Sequence, residues 1–209
     1  MPAEIISLDR FHPSRAIARC SEVIRAGGIV AYPTDTFYGL GADPRNRSAV
    51  ERLFRIKGRK GDQPILLLLS DEGVLAEWAA VIPPIAERLC RRYWPGRLTL
   101  VFPAREEVLP QLTAGTGTIG LRLPDDDLLR RLLRDAGTAL TGTSANRTGG
   151  PNPTSARDVE ASLGGQIDLI VDGGALTSTQ PSTVVDVSRV PARIIRQGAA
   201  AVTEADLLP

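Results

Sequence analysis

The segment Pro64-Ile65-Leu66-Leu67-Leu68-Leu69 limits the fold more than any other stretch. Five apolar residues follow one another without a polar break, so neither face of this piece is made for water. The run has the length of a strand and is far too short to span a bilayer. A strand that is apolar on both faces belongs in the interior of a sheet covered on both sides.

The surrounding pattern supplies the cover. Ser14 to Ala26 puts Ile17, Cys20 and Ile24 on one helical face, and Gly27-Gly28 ends it. Ser48-Ala49-Val50-Glu51 reads as a capping box opening a helix that turns Leu53 and Phe54 inward. Further helices are predicted near 71–79 and 84–93, after a cap at Asp125, and from a cap at Thr154 through Leu163. Strands are predicted at 29–32, 98–102, 118–123, 139–143, 169–171, 183–187 and 193–196. The last strands follow each other without helices between them, which favours a mixed sheet over a parallel one. The expected fold is therefore α/β: one domain over residues 1–209, with a twisted mixed sheet and flanking helices. The motif-bearing core lies at about 14–198.

Composition removes several classes of function. Among 209 residues the formal charge is +1, so nothing pulls the whole chain toward nucleic acid or membrane. Cys20 and Cys90 lie far apart in amphipathic segments and read as core residues, not a disulfide framework or a zinc site. The N-terminus has no apolar core of signal-peptide length, and a cytoplasmic location is expected, which makes the Asn146-Arg147-Thr148 sequon irrelevant to glycosylation. His12 is the single histidine, which excludes His-based metal sites and makes a Ser-His-Asp triad a poor reading. Gly115-Thr116-Gly117-Thr118-Ile119-Gly120 matches G-x-G-x-x-G, but strand-like Leu121-Arg122-Leu123-Pro124 follows where a dinucleotide site needs a helix.

Several groups of residues carry chemistry. Arg45 to Lys60 holds seven Lys or Arg and one acid, Glu51. Arg45, Arg47 and Arg52 read as a solvated helix face. Lys57-Gly58-Arg59-Lys60-Gly61 differs: it carries concentrated charge with glycine freedom into the buried strand, an arrangement suited to phosphate. Residues 141–154, TGTSANRTGGPNPT, put hydroxyls, amides and two glycines at a strand end. Such a loop can cradle an anion, although a plain capped loop is the ordinary reading. Thr118, Gly120 and Arg122 share one face of a strand, where an interior arginine needs either a buried Asp or a ligand carboxylate. Ser182 and Thr183 open an apolar strand, Arg196 closes another, and AYPTDTFYGLGA reads as a turn rich in hydroxyls, aromatics and glycines. Together these place hydroxyls and cations at strand ends and faces with little carboxylate nearby. The pattern describes a cationic groove for an anionic substrate such as a nucleoside triphosphate.

The pieces PTDTFYGLGA, KGR followed by QPILLLL, TIGLRLP, TSAN, PSTVVDV and IIRQG, in that order, resemble the YrdC family of threonylcarbamoyl-AMP synthases. The longer members carry an extra C-terminal domain; a chain ending at Pro209 is expected to be the short form. The resemblance implies a concave, positively charged cavity. It implies a reaction in which L-threonine and bicarbonate or CO2 give a carbamate that attacks the α-phosphate of ATP, releasing pyrophosphate. The product would feed threonylcarbamoyl modification of tRNA adenosine. Mg²⁺ would enter with ATP, held by phosphate oxygens and water, with no protein side-chain metal site expected. Carried over residue by residue, Lys57, Arg59, Ser144 and Asn146 are the implied catalytic set. They bind ATP together with Gln63, Thr118 and Arg196, while Thr36, Tyr38, Arg122 and Ser182 hold threonine. The implied partners are these small molecules and downstream tRNA threonylcarbamoyltransferase proteins, with weak RNA binding allowed for and no membrane. Two positions depart from the family: Lys60 stands where many members have proline, and Leu68 where many have a histidine touching threonine. The competing readings are a YciO-type paralogue with different or weak activity and a non-catalytic RNA-binding protein. A scarcity of aromatics, 4%, argues against the latter.

Overall fold

The computed structural model describes residues 2–9, 11–59, 61, 63–177 and 180–208. Its strands are β1 (Glu4–Ser7), β2 (Val30–Tyr32), β3 (Gly39–Gly41), β4 (Leu66–Leu68), β5 (Leu98–Pro103), β6 (Thr118–Arg122), β7 (Leu140–Ser144), β8 (Leu169–Asp172), β9 (Thr183–Asp186) and β10 (Arg193–Arg196). Its helices are α1 (Ser14–Arg25), α2 (Arg47–Lys57), α3 (Pro84–Tyr93), α4 (Pro110–Thr113), α5 (Asp127–Ala136) and α6 (Ala156–Leu163). The strands form one sheet in the order β1-β8-β2-β3-β7-β4-β6-β5-β9-β10. It is mixed, as expected: β8 pairs in parallel with β1 and β2, whereas β7 is antiparallel to both β3 and β4.

The leucine run divides its side chains between two cores. Ile65, Leu67 and Leu69 enter a cluster with residues of α2, α3 and α6, while Leu68 joins a second cluster with α1 and α5. The helices α1 and α5 cover the β8–β2 side of that second face. Farther along the same face, Leu66, Gly120 and Val101 stand side by side in register and floor a cavity.

Three helix caps lie one or two residues from where the sequence predicts them. The cap of α2 is Asn46, whose carboxamide oxygen accepts from Ala49 N at 3.1 Å; Ser48 instead donates to Asn46, so the expected box at Ser48 does not form. Asp126, not Asp125, caps α5 by accepting from Leu129 N at 2.9 Å. Ser155, not Thr154, caps α6, in a reciprocal box with Asp158. Each such cap is worth about 1 kcal/mol, so a shift of one or two residues leaves the helix in place. The segment near 71–79 is a 3-10 turn, Glu72–Glu77, not an α-helix. The glycine-rich 115–120 stretch follows the helix α4 and leads into β6, the reverse of the order a dinucleotide site needs. Cys20 and Cys90 are buried and free.

Candidate functional site

The stretch read as a turn is a hairpin. β3 pairs antiparallel with β2, with Gly39 opposite Tyr32 and Gly41 opposite Val30. The glycines serve close approach more than bending: a Cβ on Gly41 would lie 2.5 Å from the Tyr32 ring, and one on Gly39 would lie 3.0 Å from it. In the connection, Thr34 Oγ1 accepts from Thr36 N at 3.0 Å and Phe37 N at 3.2 Å, closing a hydroxyl-capped turn. That turn brings Thr36 to the cavity wall. Tyr38, expected to touch threonine, has its hydroxyl donating to Gly174 O at 2.7 Å and accepting from Gly173 N at 3.1 Å. Its polar tip is already satisfied, so Tyr38 borders the cavity as a prop.

The cationic corner is built by the end of α2. Gly58 adopts φ 59°, a left-handed stop that turns the chain out of the helix. Arg59 then lies in the cavity wall, its guanidinium donating to Gln63 O at 3.0 Å, Pro64 O at 2.7 Å and Thr143 Oγ1 at 3.3 Å. Lys57 does not reach the wall. It is 3% exposed, and its ammonium donates to Ser144 O at 2.5 Å, Asn146 O at 2.8 Å and Asn146 Oδ1 at 3.4 Å. Ser144 Oγ also donates to Asn146 Oδ1, and Asn146 Nδ2 donates to Gly150 O. Lys57 and Asn146 thus hold the 144–150 loop from below, and of this set Ser144 faces the cavity. Burial, and secondly the charge of Arg59, lower the Lys57 ammonium from its ordinary 10.5 to about 8. Lys60, part of the predicted cationic tail, lies outside the described residues.

At the other end, Arg122 has the buried Asp partner that the sequence offered as one of two alternatives. It is buried and ion-paired with Asp35, yet it lines the cavity, with Nε donating to Gly96 O at 2.9 Å and Nη1 to Thr36 Oγ1 at 3.3 Å. Burial lowers its pKa against the opposing pull of Asp35. Arg196 donates to Ser182 O at 2.8 and 3.1 Å, which joins the end of β10 to the entry of β9. Burial, then the nearby charge of Arg122, lowers the Arg196 pKa as well. Leu68 pairs with Arg122 across β4 and β6, so the leucine that departs from the family pattern also borders the site. Thr118, Gln63 and Ser182 line the cavity. Sequence reasoning gave no role to Asp35, Thr99, Thr143 or Asn152. The usable signal for Thr99 was its position as the one polar residue in the apolar run Leu98–Phe102.

Gly198, in the IIRQG piece, locks this corner. A Cβ there would sit 2.6 Å from the Ser182 carbonyl carbon and oxygen, which are backbone atoms with nowhere to go. Gly198→Ala is therefore expected to displace Ser182 and Arg196 together and to cost roughly 1–3 kcal/mol of stability by overpacking. Chemical denaturation of the variant, with ligand titration beside it, checks this; an unchanged midpoint and affinity would refute it.

The cavity measures about 620 Å³ and is lined by Arg59, Arg122 and Arg196 with no carboxylate among its lining residues. That volume suits a nucleotide-sized ligand. Among the described residues no group of three or more His, Cys, Asp or Glu side chains could hold a metal ion, and no helix is long and apolar enough to cross a membrane. The arrangement can bind an extended anion with arginines at both ends and hydroxyls between.

The Sua5/YciO/YrdC family, described as "Telomere recombination", matches residues 22–198. The threonylcarbamoyl-AMP synthase of Bacillus subtilis is 38% identical over 183 residues, 87% of this chain and 53% of that protein. This chain thus spans about half the length of that relative. The crystal structure of Pyrococcus abyssi Sua5 complexed with L-threonine superposes with a TM-score of 0.89 at 35% identity, covering 95% of this chain and 58% of that one. The crystal structure of E. coli YciO superposes with a TM-score of 0.84 at 28% identity, covering 98% of both chains. With the family model matching residues 22–198 and relatives above 30% identity over most of its length, the chain belongs to the Sua5/YciO/YrdC family.

Proposed function

We propose that this protein forms threonylcarbamoyl-AMP and pyrophosphate from Mg-ATP, L-threonine and bicarbonate or CO2. The observation that carries the reading is a cavity with an arginine at each end, hydroxyls between and no lining carboxylate. A reaction between two anions needs that field. In the attack on ATP the nucleophile, a carbamate oxygen, is already ionised, so positioning and charge neutralisation do the work and that step needs no strong general base. One histidine, exposed and bonded to Asp9, is then no handicap.

Arg59, with Ser144 beside it, would hold the reacting phosphate, and Gln63, Thr118 and Arg196 the rest of the nucleotide. Arg122 would take the threonine carboxylate, with Thr36 and Ser182 adding hydrogen bonds. Lys57 and Asn146 would act one layer below, fixing the Ser144 loop and placing a positive charge beneath the phosphates. Mg²⁺ would arrive as part of Mg-ATP. The product is a reactive mixed anhydride, to be passed to tRNA threonylcarbamoyltransferase proteins, and the reaction belongs in the cytoplasm, where ATP, threonine and tRNA meet.

The test is pyrophosphate release from Mg-ATP with mass detection of the adenylate, omitting L-threonine and bicarbonate in turn. Release that requires both, with the threonylcarbamoyl-AMP mass, supports the reading. A folded protein that binds ATP and releases nothing would refute it in favour of a YciO-like role.

The Lys57 pKa gives a pH signature. The third N–H and the positive charge are present below about 8 and lost above it. Adenylate formation is therefore expected to fall as pH rises through 8. Folding stability moves the other way: the folded state releases this proton near 8 and the unfolded chain nearer 10.5, so Lys57's contribution improves across that window. A pH–rate profile beside a pH–denaturation series separates the two. A rate flat to pH 9.5 would remove Lys57 from the mechanism.

A further inference from the structure

Thr99 lies on β5 at the cavity floor and is 1% exposed. The pairing of Leu100 with Leu121 places Thr99 beside Arg122 on the same face. Its hydroxyl lies 2.9 Å from Ser182 Oγ, and Arg196 Nη2 donates to that same Ser182 oxygen at 3.3 Å.

A serine oxygen has two lone pairs and one proton. Arg196 fills one lone pair. The serine proton can go to Thr99. Either hydroxyl of the pair can be the donor, and an anionic oxygen beside Ser182 selects one direction. Thr99 turns to donate into the second lone pair, and the Ser182 proton points at the ligand. Ser182 then accepts nothing from the ligand and donates to it, polarised by Arg196. We propose that Thr99 is a positioning residue that makes Ser182 a donor-only contact for the carboxylate of the bound amino acid. This rests on the reading that the cavity takes L-threonine.

The consequence is selectivity for an acceptor. With Thr99 donating, a ligand group that also needs to donate finds no free lone pair on Ser182. A carboxylate needs only donors, and Arg122 and Ser182 supply them from either side of Thr99.

The experiment is calorimetric titration of L-threonine into the wild-type protein, Thr99→Val, Thr99→Ser, Ser182→Ala and the double variant Thr99→Val/Ser182→Ala, each checked by thermal melting. Valine keeps the shape and removes the hydroxyl, so Thr99→Val should bind roughly threefold to tenfold more weakly, the worth of one hydrogen bond between neutral groups. Thr99→Ser should restore binding to within about threefold, since it keeps the donor. Because Thr99 acts through Ser182, the double variant should bind no more weakly than Ser182→Ala alone. Adenylate formation at saturating threonine should change little in Thr99→Val while KM for threonine rises. Wild-type affinity in Thr99→Val, or losses that add in the double variant, would overturn the proposal while leaving the threonine reading intact. A folded wild-type protein that binds no L-threonine would overturn both.

Discussion

Arg122→Ala is expected to lose both stability and threonine. The arginine is buried, and its loss leaves Asp35 as an unpaired carboxylate whose Oδ2 already has no hydrogen-bond partner. Breaking a buried pair from one side costs about 3–5 kcal/mol, most of it the stranded charge. Threonine binding should weaken roughly tenfold to a hundredfold, the worth of hydrogen bonds to a charged group. Because a destabilised protein binds poorly for trivial reasons, a second variant separates the effects. In Asp35→Asn/Arg122→Ala the stranded charge is gone, so stability should recover while threonine binding stays weak and ATP binding persists. Recovery of threonine binding along with the fold would show that Arg122 is only an internal ion pair. A loss confined to ATP would mean that the two ends of the cavity are reversed.

Arg122 also shows where sequence reading stops. An interior strand position demands a partner for arginine, and that much follows from Thr118-Ile119-Gly120-Leu121-Arg122 alone. The partner is Asp35, 87 residues earlier and in a hairpin connection. Periodicity says which face a residue uses, but not which distant loop arrives there. The same limit hid Thr99, which looks like an ordinary strand threonine until β9 brings Ser182 against it. It also hid the direction of Lys57. A lysine at a helix end beside a glycine predicts a cation near phosphate, but three carbonyl-type oxygens of the 144–146 turn claim its donors.

The fold was easier because its signals are redundant. The leucine run demanded cover on both faces, and it feeds two separate cores. Consecutive late strands demanded antiparallel pairing, and β9 and β10 form it. The strand at 29–32 was legible, but its hairpin partner β3 was not, because glycine twice in three residues lowers strand propensity. Here the missing side chains are replaced by the ring of Tyr32, whose hydroxyl donates to Thr141 O at 2.9 Å. Strand β1 was missed as well, since Glu4–Ser7 is an edge strand, mostly exposed, with no buried face to pattern it.

Arg59→Ala should leave the protein folded and nearly silent. Its guanidinium is held in place by Gln63 O and Pro64 O, on exposed residues that water can satisfy once the side chain is gone. The stability cost is therefore expected to stay under about 1 kcal/mol, as for a surface substitution. Catalysis is another matter. Those two carbonyls preorganise a planar cation in the cavity wall beside Thr143 and Ser144, so no reorganisation is needed when charge builds on the phosphate. Removing one such preorganised donor typically costs about 10²–10³ in kcat. Arg59→Lys keeps the charge but cannot hold both carbonyls while addressing a phosphate, so it should recover only part of the rate. Single-turnover adenylate formation at saturating Mg-ATP measures this directly. A folded Arg59→Ala protein turning over at the wild-type rate would take the reacting phosphate away from Arg59 and leave its neutralisation to Lys57 beneath the loop and to the Mg²⁺ that arrives with ATP.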